Sequence, residues 1–222
     1  MKSSEIKRLS IKYLLPHLPE FRVKGSLLYV EPVEQLLRGF GFESSGFDRT
    51  AIYVWMFVQP LYVRAPDIVL TFGERLGGGA KTWHPVAGQE EEVMGDILRE
   101  IRRKGLPFLD QIRTPADLAR VASAKAQKAP DNTHVLEVEA YSLVLAGRYR
   151  DARTVLERIE QLARSLLTAN PRALWIEEVG TRARLLRETL ARSPDEAIAL
   201  LDQWRLEMLT KLGLGGNRQG KR

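Results

Sequence analysis

Three histidines, twenty-eight carboxylates and no cysteine bound the chemistry open to this chain of 222 residues. Without cysteine there is no disulfide, no thiol nucleophile and no zinc–thiolate site. His17, His84 and His134 fall in separate segments, and none has a second histidine at the short spacing imidazole metal sites use. No metal and no cofactor are therefore expected. His17 sits in a connector between Pro16 and Pro19, and His134 opens a helix, where exposure is expected. His84 has the richest setting. It follows Trp83 at the mouth of Gly77-Gly78-Gly79-Ala80-Lys81-Thr82, and with Glu74 and Arg75 it offers the one grouping on which hydrolase chemistry could be built.

Other chemistries fail on spacing. A phosphate-binding loop needs glycine directly before the lysine and again five residues earlier, where this chain has Ala80 and Arg75. Trp83-His84-Pro85 also stands where that loop's helix would begin, so a flexible loop is the expectation. Glu177 and Glu178 are adjacent on a predicted helix and point about 100° apart, too far to share a substrate from one face. No serine stands in a nucleophile elbow.

Binding residues are better represented. Trp55, Tyr62, Trp83, Trp175 and Trp204 are of the kind that anchor interfaces. Trp55 is assigned to the core, whereas Trp83, in its polar glycine-rich setting, is the expected exposed anchor. Arg148, Arg150 and Arg153 flank Tyr149 at a predicted turn and suit a partner with an acidic surface. The net charge of +6 includes Arg218, Lys221 and Arg222 of a Gly-rich tail. The remaining +3 is spread over the chain, so a nucleic-acid surface is the weaker alternative.

Two architectures position these residues. All seven phenylalanines lie at or before Phe108, while from Thr114 onward Ala, Leu, Arg and Glu recur at helical spacing. The first part, 1–112, reads as α+β. It comprises a helix over Ser4–Leu15, one or two strands within Phe21–Val30 turning at Gly25-Ser26, and a short helix opened by Pro32 and closed by Gly39 and Gly41. A hairpin of strands 51–59 and 68–76 follows, then a helix over 89–104 with Gly105 as its stop. The second part, 113–212, predicts helices at 115–128, 132–146, 150–167, 171–191 and 194–212, with Thr114-Pro115, Asn170-Pro171 and Ser193-Pro194 as caps. Residues 213–222 read as a disordered basic tail. The fold class is α+β, a small antiparallel sheet with packed helices followed by an antiparallel helical module.

The turn Ala146-Gly147-Arg148-Tyr149-Arg150-Asp151-Ala152 resembles the junction between the paired helices of a tetratricopeptide repeat. Asp195-Glu196-Ala197-Ile198, with Leu201 and Trp204, resembles the start of another second helix. The resemblance covers less than a third of the chain, and the interval from Ala152 to Ala197 is longer than the family's usual repeat. It implies helical-hairpin packing and a peptide-binding groove.

Hydrophobic residues at 44% and charged residues at 28% fit a globular chain, and no apolar run approaches the length of a membrane span. A polar start without a secretory core suggests a cytoplasmic protein. The expected function is a non-catalytic protein-interaction protein, such as a bacterial inhibitor, immunity protein or adaptor, compatible with homo-oligomerisation. A nucleic-acid-associated regulator and a hydrolase using the Glu74–His84 region are the alternatives.

Overall fold

A computed structural model describes residues 1–48, 50–79 and 81–214. The chain divides into two compact units. One comprises Met1–Gln59 and Ile68–Arg113; the other comprises Pro60–Asp67 and the chain from Thr114 onward. The tail read for 213–222 lies outside the described residues from position 215. Among the described residues, no helix is long and apolar enough to cross a membrane.

The first unit is built on a five-stranded antiparallel sheet in sequential order, β1 (Phe21–Lys24), β2 (Leu27–Val30), β3 (Leu36–Ser44), β4 (Ile52–Pro60) and β5 (Gly73–Arg75). Helix α1 (Ser3–Leu9) precedes it and continues through a π-turn over Ser10–Leu14 to a last turn ending at His17. Gly25, at φ +57°, makes the β1–β2 turn where the sequence places it.

The short helix expected after Pro32 is instead β3. Leu36, Leu37 and Phe40 fit a helical stripe, but Phe40 and Phe42 also alternate, and Gly39 decides the outcome. A Cβ at Gly39 would stand 2.3 Å from the Leu28 carbonyl oxygen, so this residue lets β2 and β3 pair closely rather than ending a helix. Strand β4 lies one residue later than the expected 51–59. The second strand of the expected hairpin is shorter than 68–76: within that span β5 is Gly73–Arg75, after a helical turn at Leu70–Phe72, and Pro60–Asp67 joins the helical unit.

Helix α2 (Glu90–Glu100) buries Met94, Ile97 and Leu98. Gly105 does not stop it. The backbone runs through a π-turn at Ile101–Gly105 into α3 (Leu106–Asp110), with Gly105 at φ −66°. A Cβ there would lie 2.5 Å from the Phe40 ring, so this glycine admits an aromatic side chain.

The second unit contains α4 (Pro115–Lys128), α5 (Thr133–Leu145), α6 (Tyr149–Ala169), α7 (Leu174–Arg192) and α8 (Pro194–Lys211). Successive helices pack on one another, and α5 also meets α7 and α8. It is accordingly buried along almost its whole length. Thr114 and Asp117 form a complete capping box, Asn132 caps α5, and the Ser193 side chain accepts from the Glu196 amide. Asn170-Pro171 does not cap α7, which begins only at Leu174. Gly147, at φ +73°, closes α5 in a left-handed turn before α6. The inserted segment is anchored by Tyr62, buried, whose hydroxyl lies 2.7 Å from Ser142 Oγ.

Candidate functional site

The helical unit carries an open groove of about 980 Å³ between the start of α5, the first half of α7, the end of α8 and the inserted segment at Arg64–Pro66. Its floor is ionic. Glu137 is only 2% exposed. Its Oε1 accepts from Arg182 Nε at 2.9 Å, from Arg182 Nη2 at 2.9 Å and from the Tyr141 hydroxyl at 3.0 Å. Tyr141 stands one turn after Glu137 on α5 and packs on Trp204, ring centroids 5.5 Å apart. Arg64 lies over the Trp204 ring, 5.5 Å from its centroid, and pairs with Glu207.

Burial raises the Glu137 carboxyl above its ordinary value, with Arg182 and Tyr141 opposing the shift. His134, half-buried one turn earlier on the same face, is lowered from 6.5 by burial and by the Arg182 charge. It was expected to be exposed; packing at the start of α5 overrides its position in the first turn. The two shifts have opposite consequences. His134, held neutral in the fold, takes up a proton more readily when unfolded, so its contribution to stability is lost as pH falls below 6.5. Glu137 binds its proton more readily when folded, so its contribution grows as pH falls towards its ordinary range near 4.5. Replacing His134 by glutamine is therefore expected to flatten the decline of stability below pH 6.5, as read by urea unfolding at a series of pH values.

The rim is apolar where it meets water. Leu174 is 67% and Trp175 58% exposed, side by side at the start of α7. Arg64, Arg182 and Lys211 oppose Glu137, Glu177 and Glu178 around the cavity, so the formal charges balance. Glu177 and Glu178 both border it. Lys211 donates to the Ala65 carbonyl oxygen at 3.0 Å, fastening the inserted segment to the end of α8.

The residues singled out from sequence divide between the two units. Trp83 is not an exposed anchor: it is 3% exposed, its backbone bridges Ile52, and its indole N–H donates to Asp96 Oδ2 at 2.8 Å. The polar sequence around it hid a short extended segment paired to β4. His84 is exposed, contacting Asp48, Thr50 and Thr82. Glu74 is exposed on β5, and the Arg75 guanidinium stacks 3.8 Å from the Tyr53 centroid while donating to the Gly79 carbonyl oxygen. Trp55, assigned to the core, is half-buried and donates to Glu43.

At the α5–α6 turn Arg148 pairs with Asp151 at 2.6 Å, Arg153 donates to the Leu190 carbonyl oxygen, Arg150 is exposed and Tyr149 half-buried. Sequence reasoning missed Glu137 and Arg182. One signal was present: a glutamate set among Val135, Leu136, Val138 and Ala140 in the most apolar helix of the chain. Among the described residues no cluster of metal-ligating side chains is present. Comparison with family models, with curated proteins and with solved structures finds no match to this chain.

Proposed function

We propose that this is a protein-interaction protein, of the inhibitor or adaptor kind, which docks a segment of a partner protein in the groove of its helical unit. The observation that carries this proposal is the pair Leu174 and Trp175, large apolar side chains held mostly in water beside a cleft whose floor is hydrogen-bonded internally. Exposed aromatic anchors next to a concavity are where binding energy concentrates. The balanced charges favour a partner segment of mixed polarity with an apolar side chain over a polyanion such as nucleic acid. Support for a tetratricopeptide-like arrangement comes from the α5–α6 and α7–α8 hairpins, in which Ala152 and Ala197 are fully buried.

Affinity purification with the wild-type chain and with Trp175→Ala tests the proposal. One protein should be retained in stoichiometric amount by the wild type, and its affinity for the variant should fall by about 2 kcal/mol, a roughly thirtyfold loss. Equal retention by the two chains, or no retained protein, would count against the groove.

A further inference from the structure

Around His84, in the first unit, the hydrogen bonds have a direction. Trp83 exchanges backbone hydrogen bonds with Ile52 at 2.8 and 3.0 Å, and Lys81 and the Trp83 indole both reach Asp96 Oδ2, at 2.9 and 2.8 Å. These inward ties fix an extended segment whose alternate residues, Thr82 and His84, are left side by side. Thr82 Oγ1 lies 3.2 Å from His84 Nε2. On the other side of the ring, Nδ1 lies 3.2 Å from Thr50 Oγ1 and 3.4 Å from Asp48 Oδ2.

The proton positions follow. Thr50 has one hydroxyl proton and gives it to Asp48 Oδ1 at 2.7 Å, while its amide donates to the same oxygen at 2.8 Å. Towards His84 it can then only accept, so Nδ1 carries the ring proton. Nε2 is left with its lone pair, and the Thr82 hydroxyl donates to it. This is the arrangement of a nucleophile, a base and an orienting carboxylate.

We propose that Thr82 and His84 form an acyl-transfer site, with Asp48 and Thr50 as positioning residues. Thr82 Oγ1 attacks the carbonyl carbon of an ester and its proton passes to Nε2. The bond to the leaving alkoxide breaks and takes that proton, giving an acyl-threonine. Water then attacks the acyl carbon, losing its proton to Nε2, and the carboxylic acid departs as Thr82 regains a proton. Asp48 Oδ2 stabilises the imidazolium that forms between the steps. An adjoining hollow of about 550 Å³, lined by Thr82, Trp83, His84, Gln89, Glu92 and Val93, suits a small polar acyl group. The site is independent of the docking groove and goes beyond that proposal.

The test uses the full chain and 4-nitrophenyl acetate, whose leaving group needs no protonation. Acetyl-Thr82 is expected by peptide mass spectrometry of the acid-quenched reaction and absent in Thr82→Val, and release of 4-nitrophenol is expected to be slowed roughly 10²–10⁴-fold in His84→Gln. Asp48→Asn should lower kcat for this ester with KM unchanged, which a purely structural role would not do. Circular dichroism confirms that each variant is folded, and Thr82→Val, being isosteric, keeps the comparison interpretable. No acetylation, acetylation confined to lysines, or labelling unchanged in Thr82→Val would overturn the proposal.

Discussion

Glu137→Ala is expected to destabilise the helical unit by about 3–5 kcal/mol, among the largest effects any single substitution in it should have. The variant leaves the Arg182 guanidinium, 16% exposed, beside an empty space where its carboxylate stood, and removes the acceptor of the buried Tyr141 hydroxyl. The loss therefore combines a guanidinium left with only the distant Glu178 carboxylate, at 3.9 Å, and an orphaned donor. It does not measure the worth of the ion pair itself. Glu137→Leu combined with Arg182→Met and Tyr141→Phe removes charge, partner and donor together, and should return to within about 1 kcal/mol of the wild type or exceed it. Urea unfolding followed by circular dichroism reads both. A single-variant loss below about 1 kcal/mol would mean that water, rather than Arg182, satisfies the carboxylate.

Gly39→Ala is the second large effect, in the sheet. Its Cβ would meet backbone atoms, 2.3 Å from Leu28 O and 2.8 Å from Tyr29 Cα, and no rotamer change can relieve a clash with backbone. The β2–β3 register places Tyr29 opposite Gly39, so relief requires the two strands to part. A loss of about 3 kcal/mol is expected, at the upper end of overpacking costs. Gly41→Ala supplies the contrast. Its Cβ would meet only side chains, Leu27 Cδ2 and Phe57 Cε1, each at 3.9 Å, which is ordinary contact. That variant should stay within about 1 kcal/mol of the wild type, the span of strand propensities. Equal stability of the two variants by thermal or urea unfolding would contradict the assignment of β3.

Gly39 and Gly105 show what could and could not be read from the chain. Helices with local signals were legible: Thr114 with Asp117, and Ser193, fix helix starts through hydrogen bonds spanning three residues, whereas the Asn132 cap of α5 was not singled out. Strand β4 was legible because both of its alternating faces are apolar, as a strand covered on each side requires. Gly39 and Gly105 were misread because glycine marks both chain termination and close approach, and the partners, Leu28 and Phe40, are settled only by tertiary packing. Trp83 was misread for a related reason, since the Asp96 carboxylate, which takes its indole N–H and pairs with Lys81, lies 13 residues along the chain on α2.

The groove was the least legible feature. Arg182 follows Glu137 by 45 residues, and no periodicity links an acid on one helix to a base on another. The inserted Pro60–Asp67 segment, read as the connection of a hairpin, brings Arg64 to Trp204 and Glu207 from still farther along the chain. Around His84 the residue itself was recognised, but Asp48 and Thr50 were not, because they come from a turn before β4.

Whether the cleft above Glu137 and Arg182 receives another polypeptide is tested most directly by light-induced cross-linking inside the native cell. A benzophenone side chain is placed at Leu174, on the rim, and in a separate chain at Leu206, 51% exposed but not among the groove-lining residues. A single protein adduct from position 174, absent from 206 and lost when Trp175 is also replaced by alanine, is the expected outcome. No adduct at 174, or the same set of adducts from both positions, would contradict it.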